Sequence, residues 1–358
     1  MKNPSSILPK YLPPSEWATE DQAAWARALR IADPLDEPGL ASHWAAATQE
    51  KVARSYGYYA AWVQASQPGS RGGFPDIANA TNVRGFVESM TDQLSPFTIL
   101  GYLTDLREFG RVAWPNAPHH HLSTAVSYVR ARAKPVRNKA ERLVGLGALY
   151  DLGISLMHGP QSGVTQDNRI PLAQFRDGMA IALLAMRPLR IRAFGSLQLD
   201  CHLVRQKSSW RMVVPAELSK SRKHWEADVP EDLVYWLDRY VGEIRPQLLA
   251  LRGRWYAAPG SALWISIDGS ALRPKALGEA ITKRTKAAFG HAIPPHFFRD
   301  EAVTELARSS PTDVSLATPL LGHSSLRTTE RHYNQAQSID AARKFQDVQK
   351  QLRKKLAK

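Results

Sequence analysis

The sequence predicts a mainly α protein with a small antiparallel β-sheet, an α+β chain, and three observations carry this. Apolar residues recur at helical spacing through residues 15–133, with few strand signals. Three segments of period-two alternation cluster between residues 196 and 230. Helical spacing then resumes from residue 232 towards the C-terminus. A length of 358 residues fits two domains, and a hydrophobic content of 44% can fill both cores.

Residues 1–14 are polar and Pro-rich and read as a flexible arm. Helical patterns follow at 23–32, 43–66, 82–90, 95–113 and 122–133. The fourth opens with Ser95 as N-cap and Pro96 at the first helical position. The stretches QPGSRGG and WPNAPHHH between them are loops. AKPVRNKA (133–140) is short, basic and broken by Pro135, and reads as the interdomain linker, so the first domain spans 15–135 and the second 136–340. A helix over 141–157, a loop over 158–171 and a helix over 172–186 come next. The alternating segments 196–205, 209–216 and 224–230 form the sheet. Leu197, Leu199, Cys201 and Leu203 should line one face of the first strand, and Trp210, Met212 and Val214 the matching face of the second. The turn before the third strand carries Lys220, Arg222 and Lys223. Helices follow at 232–244, 273–289, 296–309 and 311–322, the last with Ser310 as cap and Asp313 three residues later. A basic tail, 341–358, closes the chain; from Arg343 on it holds seven Lys/Arg and one acid.

The formal net charge of +14 favours a polyanionic partner. The single cysteine, Cys201, rules out an intrachain disulfide and points to a reducing compartment. No apolar run has transmembrane length and no signal-peptide pattern is present, so no membrane partner is expected and the expected location is cytoplasmic. Consecutive His119, His120 and His121 cannot share one helix face and read as a loop. Tyr56, Tyr58, Tyr59 and Trp62 read as helix packing, and GSRGG lacks the context of a phosphate loop.

The last third of the chain carries the chemistry. His296 and Arg299 stand three apart in HFFR and share a helix face. Arg offers a planar fork of donors to phosphate oxygens. His323 follows Gly322 in a Leu-Gly-His turn, and Tyr333 comes ten residues later. A free phenol has a pKa of about 10, so roughly one in a thousand is ionised at neutral pH, and nearby cations favour its phenolate. Cations that can bind a phosphate beside a Tyr therefore equip the chain for phosphoryl transfer to a phenol.

These segments resemble those of the tyrosine recombinases of the phage integrase family. HFFR matches the His-x-x-Arg of that family at His296 and Arg299, LLGHSSLRTTE matches its Leu-Gly-His segment at His323, and Tyr333 falls where the nucleophile stands. MAIALLAMRPLRIRAFGSLQLD places the family's first Arg at Arg190, and VVPAELSKSRKHWEADVP offers its Lys at Lys220, with Lys223 second. The chain departs from the family at two points. The interval from His323 to Tyr333 is ten rather than nine, which puts His332 at the expected position. The acid that follows the first Arg is Ala193 here, leaving Asp177 as a carboxylate that could serve instead.

The resemblance implies a helical core DNA-binding domain (15–135) and a catalytic integrase domain (136–340). It implies site-specific cleavage and rejoining of double-stranded DNA through a 3′-phosphotyrosine, with integration or excision of a mobile element as the expected role. It implies no cofactor, a homo-tetramer on paired DNA sites, accessory DNA-bending or directionality proteins, and a prokaryotic, nucleoid-associated setting. The basic tail would dock on a neighbouring protomer. Two other readings stay open: a type IB topoisomerase-like DNA relaxation, and a non-catalytic DNA-binding relative.

Overall fold

The structure is a computed structural model that describes residues 9–33, 35–69, 72–134, 142–159, 169–220 and 222–309. It divides into two compact units, Met1–Asn138 and Lys139–Lys358. The expected linker at 135–140, the helix over 311–322, His323, Tyr333 and the basic tail lie outside the described residues.

The first unit is helical among its described residues: α1 (Thr19–Leu29), α2 (Ala46–Ser66), α3 (Phe74–Ile77), α4 (Ala80–Thr91), α5 (Pro96–Ala113) and α6 (His120–Arg132). Ser95 caps α5 as expected, its side chain accepting from the Thr98 amide. The core is aromatic. Tyr56 stacks on Phe109 with ring centroids 4.0 Å apart, and Trp17, Trp25 and Phe74 pack edge-on or stacked around them. Tyr56 and Tyr59 are buried, and Tyr58 and Trp62 pack half-buried on the same core, so the aromatic set of α2 is packing. Asp21 is fully buried at its centre and accepts from the Tyr56 hydroxyl, the Phe74 amide (2.9 Å) and Trp114 Nε1 (2.9 Å). Burial pushes its carboxyl above the usual range against the opposing pull of those donors. The His119–His121 run is not wholly a loop: His119 precedes α6, and His120 and His121 form its first turn. His121 bonds the Ala78 carbonyl and His119 the Trp114 carbonyl, which are structural tasks.

The second unit is built on α7 (Leu146–His158) and α8 (Arg169–Met186). They lie so close that a Cβ on Gly153 would meet Ala182 N at 2.6 Å, and one on Gly178 would meet Gly153 O at 2.6 Å. α7 starts five residues later than the apolar pattern suggests, because Gly145 adopts φ 88, outside the helical region. Pro188 follows α8 closely and α9 (Ile191–Gly195) begins after Arg190. A three-stranded antiparallel sheet follows, β1 (Leu203–Arg205), β2 (Trp210–Val214) and β3 (Trp225–Asp228), in the order β1-β2-β3. Leu203 pairs Met212 and Val214 pairs Trp225. Trp210, Met212 and Val214 face the core as their alternation requires.

The first strand is shorter than expected. Residues 198–203 fold into a turn in which Asp200 takes φ 61 and the Leu203 amide bonds the Gln198 carbonyl (3.0 Å). Cys201 sits at its tip and is exposed, not core-facing. The remaining helices are α10 (Glu231–Arg239), a π-turn (Tyr240–Ile244), α11 (Arg245–Ala250), α12 (Pro274–Phe289) and α13 (Pro295–Ser309). Phe194, Tyr240, Trp264 and Phe298 are fully buried in the core they share.

Candidate active site

Arg190 is delivered by a short connector. Met186 ends α8, Pro188 cannot continue it, and the Arg190 backbone is extended (φ −67, ψ 134). Its carbonyl accepts from the Phe194 amide at 2.9 Å and so starts α9. The Phe194 carbonyl in turn accepts from Trp264 Nε1 at 2.8 Å, which ties α9 to the core. The Arg190 side chain is half-buried.

Arg299 reaches the same connector from α13. Its Nη1 donates to the Pro188 carbonyl at 2.6 Å, two residues before Arg190. The side chain is buried, with 9% of the residue exposed. Burial, and then the positive charge of Arg190, push the Arg299 guanidinium down to about 10, with Asp300 acting weakly in the opposite sense. Arg299 is therefore anchored two residues from Arg190, and the charges of these two arginines from different elements oppose one another. An anion between them would relieve that repulsion.

His296 lies one turn before Arg299 on α13 and is exposed. Lys220 is exposed on the connection between β2 and β3, beside Arg222 (φ 52) and Lys223. The structure thus brings Arg190 and Arg299 together, sets His296 on the helix that carries Arg299, and leaves Lys220 on a separate hairpin. His323 and Tyr333 lie outside the described residues.

Ala193, at the position where an acid was expected, is buried at 4% exposure. Asp177 does hold cations, but they are Arg176 (Nη2, 2.6 Å) and Arg284 (Nε, 3.0 Å). Arg176 also donates to the Ile265 carbonyl at 2.8 Å. This trio, buried at Arg176 and Asp177 and half-buried at Arg284, links α8, α12 and the 265 segment, and it explains why a charged pair interrupts an otherwise apolar helix. Asp177→Ala strands Arg176 without its counter-ion and should destabilise the second unit by about 3 kcal/mol, read by urea unfolding. An unchanged midpoint would show that the trio contributes nothing.

Sequence reasoning also missed Glu301 and Glu305. Glu301 is buried, and its Oε1 accepts from the amides of Val144 (2.6 Å) and Gly145 (3.2 Å). Glu305 accepts from the Leu146 amide at 3.1 Å. The available signal was an acid two residues after Arg299 in a run that is otherwise buried.

Comparison with known proteins agrees with this architecture. Residues 165–338 match the phage integrase family. The tyrosine recombinase XerD of Pseudomonas aeruginosa is 28% identical over 156 residues, which is 43% of this chain and 48% of XerD. The chain thus aligns with about half the length of that curated relative. The Tn1549 transposon integrase, solved in complex with circular intermediate DNA, shares the fold with a TM-score of 0.50 and 16% identity, over 88% of this chain and 95% of that one. A lambda integrase dimer bound to a COC′ core site also has a TM-score of 0.50, with 14% identity, over 82% of this chain and 91% of that one. Residues 165–338, just under half of the chain, thus form a phage integrase family domain, similar to that of the tyrosine recombinase XerD.

Proposed function

We propose that this protein is a site-specific tyrosine recombinase that cleaves and rejoins duplex DNA, in the integration or excision of a mobile element. The observation that carries the reading is the bond by which Arg299, on α13, is anchored to the connector that bears Arg190, with His296 one turn away on the same helix. The relatives solved with transposon-circle DNA and with a core site support DNA as the substrate and a mobile element as its source.

In this mechanism Arg190 and Arg299 grip the non-bridging oxygens of the scissile phosphate and stabilise charge as it develops there. His323 donates a further hydrogen bond. The Tyr333 hydroxyl oxygen attacks phosphorus in line, and His296 takes up its proton. The bond from phosphorus to O5′ breaks, and Lys220 protonates the leaving oxygen. The products are a 3′-phosphotyrosine and a free 5′-hydroxyl. One phosphoester replaces another, so attack by a second 5′-hydroxyl reverses the step and joins new strands without a nucleotide. A homo-tetramer on paired sites, aided by accessory DNA-bending or directionality proteins, would supply the second hydroxyl. Residues 15–135 would act as the core DNA-binding domain and 136–340 as the catalytic domain.

Nicked fragments tiled across the DNA flanking the gene, incubated with the protein in EDTA, should give a species that survives SDS. Native binding with no such species on any fragment would instead support a non-catalytic DNA-binding relative, the reading that Ala193 favours. Site-independent plasmid relaxation by a monomer would support the topoisomerase reading.

The lysine has its own test. Lys220→Ala should slow cleavage about a hundredfold, the usual contribution of a general acid. A substrate with sulfur in place of the leaving O5′ needs no proton and should restore the rate. If Lys223→Ala shows that pattern and Lys220→Ala does not, the acid is Lys223.

A further inference from the structure

The helix that carries His296 and Arg299 is pinned to the start of the second unit by contacts that none of the proposed chemistry requires. Residues 142–146 run along α13. Before Arg299, the Arg142 guanidinium lies 4.6 Å over the Phe297 ring and donates to the Ala292 carbonyl, and the Arg142 carbonyl meets His291 Nε2 at 3.3 Å. After Arg299, Glu301 takes the amides of Val144 and Gly145, and Glu305 takes that of Leu146.

The first amides of a helix have no partner within it, and its N-terminal end favours negative charge. α7 has no side-chain cap of its own, because Gly145 stands at the capping position in a left-handed conformation. The amides at its head are held from α13 instead, more than 150 residues away in sequence: those of Val144 and Gly145, just before the helix, by Glu301, and that of Leu146, its first residue, by Glu305. α7 packs along α8, and α8 ends in the connector that delivers Arg190. α13 is therefore fixed to this assembly by Glu301 and Glu305 at the head of α7 and by Arg299 at the Pro188 carbonyl. Together these set the register of α13 against the element bearing Arg190.

We propose that Glu301 is a positioning residue for strand cleavage: by holding the Val144 and Gly145 amides at the head of α7 from α13 it fixes the spacing between Arg299 and Arg190. This rests on the strand-cleaving function proposed above. Glu301 touches no substrate, and its effect should appear in the chemical step rather than in DNA affinity, because small misplacements of reacting groups are costly.

The test compares wild type, Glu301→Ala and Glu301→Gln for SDS-resistant adduct formation on a nicked site at saturating DNA, with native binding measured beside it. Glu301→Ala should slow the adduct about thirtyfold or more, with binding within about threefold of wild type. Glu301→Gln keeps an oxygen for the two amides and should return the rate to within about fivefold of wild type. Should Glu301→Ala fail to fold, Glu301→Asp takes its place, since the shorter arm withdraws the oxygen from both amides. Four results would overturn the proposal. In the first, the Ala or Asp variant cleaves at the wild-type rate. In the second, cleavage and binding fall in equal proportion. In the third, Gln is no faster than Ala or Asp. In the fourth, wild type itself yields no adduct, which removes the function reading as well; the first three leave that reading standing.

Discussion

Tyr333→Phe should abolish covalent adduct formation, by at least about a thousandfold, while native DNA binding stays within about threefold. Phe keeps the ring and removes only the oxygen that forms the bond to phosphorus. The arginine pair is unaltered, so the phosphate is still gripped. No other Tyr follows Tyr333 in the sequence, so none downstream can substitute for it. The measurement is SDS gel mobility of labelled nicked DNA alongside a native shift with the same protein. Adduct from the Phe variant at the wild-type rate would move the nucleophile elsewhere. Loss of binding together with the adduct would show that Tyr333 serves the fold.

The second large effect belongs to Arg299. Arg299→Ala should lower cleavage about a thousandfold, since it removes a preorganised charge from the developing anion. Arg299→Lys should recover little, because an ammonium cannot reproduce the planar fork that bonds the Pro188 carbonyl while facing the phosphate. The pH dependence follows from the lowered guanidinium. Its folded-state value of about 10 lies well below that of the unfolded chain, so the unfolded chain binds more protons above about pH 10. Its charge therefore costs stability at neutral pH, on the order of 3 kcal/mol, and the cost fades as pH rises above about 10. Arg299→Met should consequently raise the melting temperature of DNA-free protein while destroying cleavage. A melting temperature that falls instead would show that the bond to Pro188 outweighs the cost of burying the charge beside Arg190. Cleavage by Arg299→Ala within tenfold of wild type would remove the arginine pair from the mechanism.

Much of this fold could be read from periodicity. The long helices α2, α5, α8 and α12 have enough turns for their buried faces to repeat, and the inward residues of β2 alternate cleanly. The misreadings arose where one residue overrides the pattern. Gly145 at φ 88 holds back the start of α7, and Asp200 at φ 61 turns an alternating run into a bend that exposes Cys201. Neither conformation leaves a trace in hydrophobic spacing.

The site was legible in a different way. His296 and Arg299 are close in sequence and declare a shared face. The meeting of Arg299 with the Arg190 connector, 111 residues away at Pro188, could be anticipated only through family resemblance. Glu301 offered only an acid in an apolar run two residues after Arg299, and its partners are backbone amides, which carry no side-chain signature. Asp177 could be seen as a charge in an apolar helix, but its partner Arg284 lies 107 residues on.

The most direct test of the account is to digest the SDS-resistant species with protease and nuclease and locate the nucleotide by mass spectrometry. The predicted result is a single peptide carrying a 3′-linked nucleotide on Tyr333, with a free 5′-hydroxyl on the released strand. A nucleotide on any other residue, or one attached through its 5′ end, would contradict it.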